Sequence, residues 1–480
     1  MKFIISISLF LVTCFAVSAQ SDYLLTQING NWTLDNCMAY TLAQNLTIAD
    51  QAINVQRAEL TFNTDKFSRY PTLNASASHN YNFGRSIDPF TNQFVTQSIQ
   101  SNNFSLTSSV TLYNGKRISN TILRSENEVL RAKQEADAAQ ADILTNVAEA
   151  FLQVIFAENQ LNTFQVVNKS TVTQLAQALK LYEAGATNQR QYLNLKAQDA
   201  RDQLNIQTAK GSLQMAYLRL KQMMQLNVDN FEIVHPSLDQ ISTTNTWSAD
   251  GVIYNALGRM NYVKLAESQL RSAEISIDIV KSAFYPRLSL FGNVNTLFSE
   301  SRLERFDFQS NTRAIGYVEG TSQPVVTEFT SYETRVAGFG QQLNDNFGQA
   351  LGVSLSIPIY NGNQVRANVS EAKLNTLLRS NNLERIKLEV TSDVLQAYAD
   401  YENALAGIKA AEVNEKAQKE NYDFVLKSAN AGVATSSDMI LALNGWGQAQ
   451  NELINARFQV LYAQMVLHFY NTGEISITPN

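Results

Sequence analysis

The chain has 480 residues, of which 45% are hydrophobic and 17% are charged, and its formal net charge is −6. Two cysteines exclude a disulfide-stapled scaffold, seven prolines exclude a Pro-rich linker protein, and the negative charge excludes a basic nucleic-acid binder. The charged fraction lies below the roughly 25% of typical soluble domains, and uncharged polar residues make up the deficit.

The first residues have the pattern of an export signal. An apolar run, Phe3–Val17, follows a lysine and leads to a small-residue cleavage site that ends at Ala19. We therefore expect residues 1–19 to be a signal peptide and the mature protein to be exported. Cys14 stands in an imperfect lipoprotein box, and cleavage after Ala19 removes it. The mature chain then keeps only Cys37, which leaves no partner for an intramolecular disulfide.

Four later segments alternate between apolar and polar residues over about ten positions each. In the first, Leu73 and Ala75 lie on one face while Asn74 and Ser76 lie on the other. The predicted strands are residues 71–83, 103–113, 286–298 and 349–360. Their length suits a transmembrane β-strand of ~9–11 residues and equally a half-buried strand of a soluble sandwich. No segment after the signal approaches the ~18 apolar residues of a membrane helix, whereas the weaker signal of a β-barrel leaves that fold open.

Helical patterns of unusual length follow each pair of strands. Proline is absent from Leu112–Asn230 and Ile359–Thr478, which permits very long helices. In both stretches apolar residues, many of them alanine, recur at steps of three and four, and this spacing favours a coiled coil. The predicted helical hairpins are residues 116–226 and 362–470. Gly185 and Gly432 mark their tips, because glycine accepts the left-handed conformation found just past a helix end.

These elements occur twice in the same order, which identifies an internal duplication. Tyr70-Pro71 recurs as Tyr285-Pro286, the segment Leu112–Gly115 recurs as Ile359–Gly362, and Ala184-Gly185-Ala186 recurs as Ala431-Gly432-Val433. The predicted division is a first structural repeat over residues 20–230, an inter-repeat linker over 231–247, a second repeat over 248–470 and a C-terminal tail over 471–480.

The strand count constrains how such a chain would sit in a membrane. Single-chain membrane barrels have about eight strands or more, and lipid does not tolerate open sheet edges. If the four strands span a membrane, several chains must therefore share one barrel. The segments Gly84–Gln100 and Ser299–Phe347 would then be external loops.

In this combination the chain resembles the TolC-like outer-membrane efflux proteins. The resemblance is carried by the duplicated strand pairs, the Tyr-Asn-Gly helix starts, the glycine-marked tips and an entry segment that begins at Trp32. It implies a mainly α fold with a membrane β-barrel contribution: a homotrimer with a shared twelve-stranded barrel and an α-helical periplasmic tunnel. It also implies a location in the cell outer membrane, in contact with outer-membrane lipid, with a large periplasmic portion.

The resemblance further implies a function and partners. The protein would be a passive exit duct of a tripartite efflux or type I secretion system, neither an enzyme nor a cofactor-binding protein. Its partners would be a periplasmic adaptor (membrane fusion) protein, which docks on the tips at Gly185, Ala186, Gly432 and Val433, and an inner-membrane transporter. The alternative is a non-channel structural or adhesive coiled-coil envelope protein, with the strands in a soluble sandwich.

One functional residue is implied by position. The family has an acidic ring at the tunnel entrance, shortly after the second tip glycine, and Asp438 stands there, six residues after Gly432. Three such carboxylates in a trimer would form a constriction that favours cations. The alternative is that Asp438 is only a helix-start residue that interacts with the helix dipole.

Other tip positions depart from the family pattern. Leu441 stands where a second Asp is expected, and Ala429 and Ala434 stand where a Tyr and an Arg lock the entrance in the family. The matching position of the first repeat, Gln191, is not acidic either. We therefore expect this entrance to lack the family's lock residues.

Residue constellations for other chemistry are missing from the sequence. Its three histidines have no neighbouring Cys or carboxylate at metal-ligand spacing. Gly115-Lys116 lacks the earlier glycine of a phosphate-binding loop, and there is no Gly-x-Ser-x-Gly elbow. The sequence therefore predicts no catalytic residue, cofactor or metal, and nothing indicates nucleic acid as a partner.

Overall fold

The structure is a computed structural model that describes residues 32–87, 92–96, 98–227, 231–234, 247–321, 323–431 and 433–476. The expected signal peptide with Cys14, the tip residue Gly432, most of the inter-repeat linker and the end of the tail lie outside the described residues.

The chain forms two compact units, and each draws residues from both halves of the sequence. One, here called the helical unit, takes the chain up to Leu60, Glu126–Ala273 and the chain from Asn375 onward. The other, here called the sheet unit, takes Thr61–Ser125 and Glu274–Leu374.

Helices and strands alternate in long blocks. The described helices are α1 (Leu34–Gln44), α2 (Leu46–Phe67), α3 (Arg117–Glu183), α4 (Gln189–Met224), α5 (Ala249–Arg259), α6 (Asn261–Lys281), α7 (Phe339–Asp345), α8 (Gln364–Asn430) and α9 (Ser436–Thr472). The described strands are β1 (Thr72–Asn82), β2 (Arg85–Ile87), β3 (Phe94–Thr96), β4 (Ile99–Tyr113), β5 (Arg287–Ser299), β6 (Leu303–Tyr317), β7 (Pro324–Val336) and β8 (Gly348–Ser356).

The same order of elements occurs in both halves, which confirms the predicted duplicated unit. A short helix and a longer one (α1 and α2, or α5 and α6) precede the sheet strands, and a helical hairpin (α3–α4, or α8–α9) follows them. Helices α3 and α8 each have 67 residues, which corresponds to about 100 Å at 1.5 Å per residue. None of the described helices combines the length and the apolar character that crossing a membrane requires.

Two larger hydrophobic cores, one for each repeat, hold the helical unit together, and a smaller cluster around Val167 and Leu443 joins α3, α8 and α9. The first joins α1, α3, α4 and the end of α9, with Cys37 and Val147 fully buried. The second joins α5, α6, α8 and α9 around Val252 and Val394. Cys37 and Val252 occupy equivalent positions, 215 residues apart. Burial raises the pKa of the Cys37 thiol to about 12, so this cysteine serves as a small apolar side chain.

The core of the sheet unit is a four-stranded antiparallel sheet with the order β1-β4-β5-β8. Its register places Ala75, Leu106 and Val294 side by side in one row. On the opposite face, the Ser76 and Ser105 hydroxyls lie 2.6 Å apart. The sheet therefore has one apolar and one polar face, as the alternation predicts.

Two strand ends differ from the expected positions. β4 begins at Ile99, earlier than residue 103, and β8 ends at Ser356, earlier than residue 360. The early end of β8 has a simple cause, because Pro358 has no N–H group to continue the ladder.

The expectation that both inter-strand segments are loops is wrong. β2 pairs with β3 in the first segment, and β6 pairs with β7 in a long antiparallel ribbon in the second. The ribbon has register shifts at Phe306/Gln309 and Ala314/Gly316, which interrupt the period of two and hide the strands from a pattern search. The second segment also contains α7, whose Gln342 is fully buried and donates to the Ser299 carbonyl at 3.0 Å.

Candidate functional site at the helical hairpin tips

The first hairpin tip is closed by a pair of backbone hydrogen bonds. After α3, the Gly185 N–H donates to the Tyr182 carbonyl at 2.9 Å, and the Ala186 N–H donates to the Leu181 carbonyl at 2.8 Å. This is the Schellman arrangement, which requires a left-handed residue at the position of Gly185. Its φ is +71°, and because no atom lies within 4 Å of a Cβ built there, glycine is needed for backbone conformation alone.

The second tip repeats part of this hydrogen-bond pattern after α8. The Val433 N–H donates to the Ser428 carbonyl at 2.9 Å, and the Ala431 N–H donates to the Lys427 carbonyl at 3.1 Å. Ser428 is the repeat equivalent of Leu181, and Val433 is the repeat equivalent of Ala186. The hydrogen bond that spans five residues therefore joins matching positions in the two tips. Val433 is 82% exposed, which makes it an apolar residue presented at the end of a hairpin.

The helices that leave the tips begin with different caps. The Asn188 side chain accepts from the Gln191 N–H at 3.0 Å and starts α4. At α9, the Thr435 hydroxyl accepts from the Asp438 N–H at 3.2 Å, while the Asp438 carboxylate accepts from the Thr435 N–H at 2.9 Å. The second cap is therefore a complete capping box. Gln191 and Asp438 are equivalent positions, 247 residues apart.

Asp438 is exposed and remains ionised through its local contacts. Hydrogen bonds from the Thr435 hydroxyl and backbone N–H hold the pKa of the Asp438 carboxyl below its ordinary value. The negative charge also lies at the positive end of the α9 dipole. Helix capping is thus an observed role of Asp438, and it leaves the second carboxylate oxygen free to face solvent or an ion.

The positions expected to lack the lock residues carry short or apolar side chains. Ala429 and Ala434 are half-buried, and Leu441 is 68% exposed. At the first tip, Gln191 accepts a hydrogen bond from the Thr187 hydroxyl. Since the side chains of Ala429 and Ala434 end at Cβ, these two positions cannot form a hydrogen bond or ion pair across the entrance.

An aromatic pair at the first tip was not predicted. The rings of Tyr182 and Tyr192 stack with centroids 5.9 Å apart and an interplanar angle of 7°. They flank Gly185, so a search for aromatic residues on both sides of the tip would have found them. Their equivalents in the second repeat are Ala429 and Met439.

A buried polar cluster connects the hairpins further from the tips. Asp202 is 3% exposed and accepts from the Thr171 hydroxyl at 2.5 Å and from the Gln198 amide at 2.8 Å. The same Gln198 amide donates to the Asn444 side chain of α9 at 3.0 Å. This cluster therefore links α3, α4 and α9 through polar contacts that only one register satisfies.

Within the described residues, no group of three or more His, Cys, Asp or Glu side chains is arranged to hold a metal ion. The tips instead present a backbone turn, one carboxylate and exposed apolar side chains.

Most of the chain matches a known protein family. A family model described as outer membrane efflux protein matches residues 39–224 and 252–470. The chain is 25% identical to the outer membrane protein TolC of Escherichia coli over 330 residues, which cover 68% of this chain and 60% of TolC.

Solved structures show the same fold at lower identity. A structure of CusC, described as forming a transmembrane channel, has a TM-score of 0.73 and 16% identity, with 91% of each chain covered. The Campylobacter jejuni CmeC outer membrane channel has a TM-score of 0.69 and 15% identity, with 93% of this chain and 87% of CmeC covered.

Proposed function

The chain belongs to the outer membrane efflux protein family, and from that premise we propose that it is the outer-membrane exit duct of a tripartite efflux or type I secretion system. The matched region spans about 60% of the length of TolC, so activity, cargo and partners are part of the proposal. The duct conducts passively from the periplasm or the inner-membrane transporter to the exterior, and it carries out no enzymatic step.

The four-stranded sheet is the observation that carries this proposal. Within the part of the chain that the structure describes, its outer strands, β1 and β8, each pair with one neighbour only, and apolar side chains on one face are exposed, with Leu73 at 69% and Leu351 at 80%. Unpaired strand edges and an exposed apolar face are unfavourable in water. Pairing with another strand satisfies the edges, and contact with lipid covers the apolar face. Three chains of four strands each would close a barrel of twelve, with the apolar face toward outer-membrane lipid.

The hairpins then supply a periplasmic tunnel and its entrance. The exposed tip residues Ala186 and Val433 contact the periplasmic adaptor, which in turn connects to an inner-membrane transporter. Asp438 from each protomer forms a carboxylate ring that favours cations. Its two roles are compatible, because capping α9 uses only part of the hydrogen-bonding capacity of a carboxylate.

Oligomeric state and conductance test the duct. The protein should be extracted from membranes only with detergent, migrate as a trimer that dissociates on heating, and form channels in planar lipid bilayers. A water-soluble monomer without channel activity would contradict the proposal and favour a structural coiled-coil protein.

Site-specific crosslinking tests the docking surface. A photoreactive residue at position 186 or 433 should capture one periplasmic adaptor in intact cells. A matched control at Leu388, which is 70% exposed on α8, should capture none. Equal capture from the control would show that the tips are not the docking site.

A further inference from the structure

The helical unit contains a cavity of about 780 Å³ that lies among α3, α6, α8 and α9. Its volume is within the range of small-molecule sites, ~300–1,000 Å³. Buried Met260, Val390 and Met465 form an apolar lining. The polar and aromatic lining includes Asp142, Tyr262, Glu389, Asp393, Tyr462 and Tyr470.

The charge in this cavity is all of one sign. Glu389 and Asp393 lie four residues apart on α8, a spacing at which like charges repel across one helical turn, and Asp142 adds a third carboxylate from α3. No lysine, arginine or histidine is among the lining residues. Lys387, two residues before Glu389 on α8, pairs with Glu384 at 3.4 Å.

The carboxylates are spread around the cavity instead of converging on one point. Across the described residues they do not form a group that could hold a metal ion. Their arrangement therefore suits a charge that is distributed over a large cation better than it suits a small ion that needs close ligands.

Two of the lining tyrosines, Tyr262 and Tyr470, are partly buried beside carboxylates. Burial, together with the nearby Asp393 and Tyr462, raises the pKa of Tyr470 to about 12. The Tyr262 hydroxyl donates to the Asp142 carboxylate, and burial together with this contact raises the pKa of Tyr262 as well. Burial alone would disfavour a cation as well, but the neighbouring Asp142 and Asp393 carboxylates, which oppose the charging of the phenols, would stabilise a cation in the same space.

We propose that this cavity is a binding site for an amphipathic organic cation, a bulky apolar body that carries an ammonium or phosphonium centre. The positive centre lies near Asp142, Glu389 and Asp393, the tyrosine faces contact it through cation–π interactions, and the apolar body rests on the methionine and valine lining. This proposal does not depend on the proposed exit duct. A chain that binds the cation without forming channels would support the cation site and contradict the exit duct.

Calorimetry on the purified full chain in detergent tests the proposal. Tetraphenylphosphonium should bind saturably, with one ion per chain, and neutral triphenylphosphine oxide should bind at least about tenfold more weakly. The double variant Glu389→Gln/Asp393→Asn should weaken tetraphenylphosphonium binding by about tenfold or more. The matched control Glu420→Gln, on an exposed part of the same helix and outside the cavity, should leave it unchanged.

Photolabelling locates the site independently. A benzophenone-bearing quaternary ammonium should label peptides from α8 and α9 that include Asp393 and Tyr470, and excess tetraphenylphosphonium should prevent the labelling. Equal affinity for the neutral compound, equal binding by the double variant, or labelling confined to other helices would overturn the proposal. Absence of saturable binding would overturn it too.

Discussion

The two hairpin tips share an equivalent backbone hydrogen bond and differ in the chemistry of their side chains. The Leu181 and Ser428 carbonyls are equivalent, and each accepts a hydrogen bond from the backbone N–H five residues later, at 2.8 and 2.9 Å. Around this common turn, the first tip has a stacked tyrosine pair and a neutral Gln191, while the second has alanine, an exposed valine and the charged Asp438. The hydrogen-bonded turn therefore sets the geometry, and the side chains around it are free to diverge between the repeats.

The same contrast occurs where the strands lead into the long helices. Gly115 and Gly362 are equivalent and both have a positive φ, +65° and +60°. A Cβ at Gly115 would lie 2.7 Å from the Tyr285 Cβ and 2.8 Å from the Ser282 carbonyl oxygen, whereas a Cβ at Gly362 would meet no atom within 4 Å. One glycine is thus required by conformation and by space, and the other by conformation alone.

Alanine substitution at these two glycines should give the largest difference between the repeats. We expect Gly362→Ala to cost ~1–2 kcal/mol, the penalty of a left-handed non-glycine residue. Gly115→Ala should cost ~4–5 kcal/mol, because a backbone oxygen and a Cβ must also move. Apparent melting temperatures in detergent, measured by circular dichroism, test whether Gly115→Ala is more destabilising than Gly362→Ala. Equal shifts would show that the backbone around Gly115 adjusts freely.

The second largest effect should come from the buried polar cluster. Asp202 is equivalent to Ala449 of the second repeat, which is 1% exposed, so one repeat buries a carboxylate where the other buries a methyl group. Asp202→Ala leaves the Thr171 hydroxyl and the Gln198 amide without this acceptor, and we expect a loss of ~2–4 kcal/mol.

A neighbouring aspartate provides the control for that variant. Asp199 also accepts two side-chain hydrogen bonds, from Asn168 at 2.8 Å and Gln203 at 2.9 Å, but it is only half-buried. Asp199→Ala should cost ~1 kcal/mol or less, because water can replace the lost contacts. If both variants lower the apparent melting temperature equally, burial of Asp202 is not the source of its effect.

Local patterns predicted the elements that local periodicity determines. The alternation around Leu73 predicted a strand, and the glycine after a long helical pattern predicted the tip at Gly185. Sequence patterns could not distinguish Gly115 from Gly362, since the same Tyr-Asn-Gly segment precedes both helices and the difference comes from Tyr285, 170 residues away. The β6–β7 ribbon was missed because its bulges break the period.

The candidate site was predicted in the same partial way. The helix-start role of Asp438 was one of the two sequence interpretations, and the structure adds the reciprocal hydrogen bonds with Thr435. The polar cluster could not be predicted, because its hydrogen bonds join residues that are distant in the sequence. Asp202 and Thr171 are separated by 31 residues, and Gln198 and Asn444 are separated by 246 residues. Such partners depend on how the helices pack, which no local pattern records.

Removing the tyrosine stack should make the first tip resemble the second. Tyr192→Ala removes the 5.9 Å ring contact with Tyr182, and a stacked aromatic pair contributes ~0.5–1.5 kcal/mol. We expect faster hydrogen exchange of backbone amides near Gly185 and unchanged exchange near Val433, measured by mass spectrometry. Faster exchange at both tips would mean that the pair also stabilises contacts beyond its own hairpin.

The charge difference between the tips should have the smallest effect on stability and a distinct effect on ion selectivity. Since the pKa of Asp438 in the folded protein lies below its ordinary value of 3.8, the carboxylate cap is complete at neutral pH. It is lost only as the pH falls through that lower folded value. Cation selectivity that arises from Asp438 should therefore be complete at neutral pH and decline in acid.

Reversal potentials across a salt gradient in planar bilayers measure the cation selectivity directly. Asp438→Asn should reduce cation selectivity at neutral pH and remove its decline in acid, whereas Gln191→Asp should add a second carboxylate and increase selectivity at neutral pH. Asn keeps a side-chain oxygen that can accept from the Thr435 N–H, so a changed potential reports the charge and not the loss of the cap. An unchanged reversal potential in Asp438→Asn would show that the role of this carboxylate is confined to capping α9. The chemical difference between the tips would then have no effect on ion selectivity.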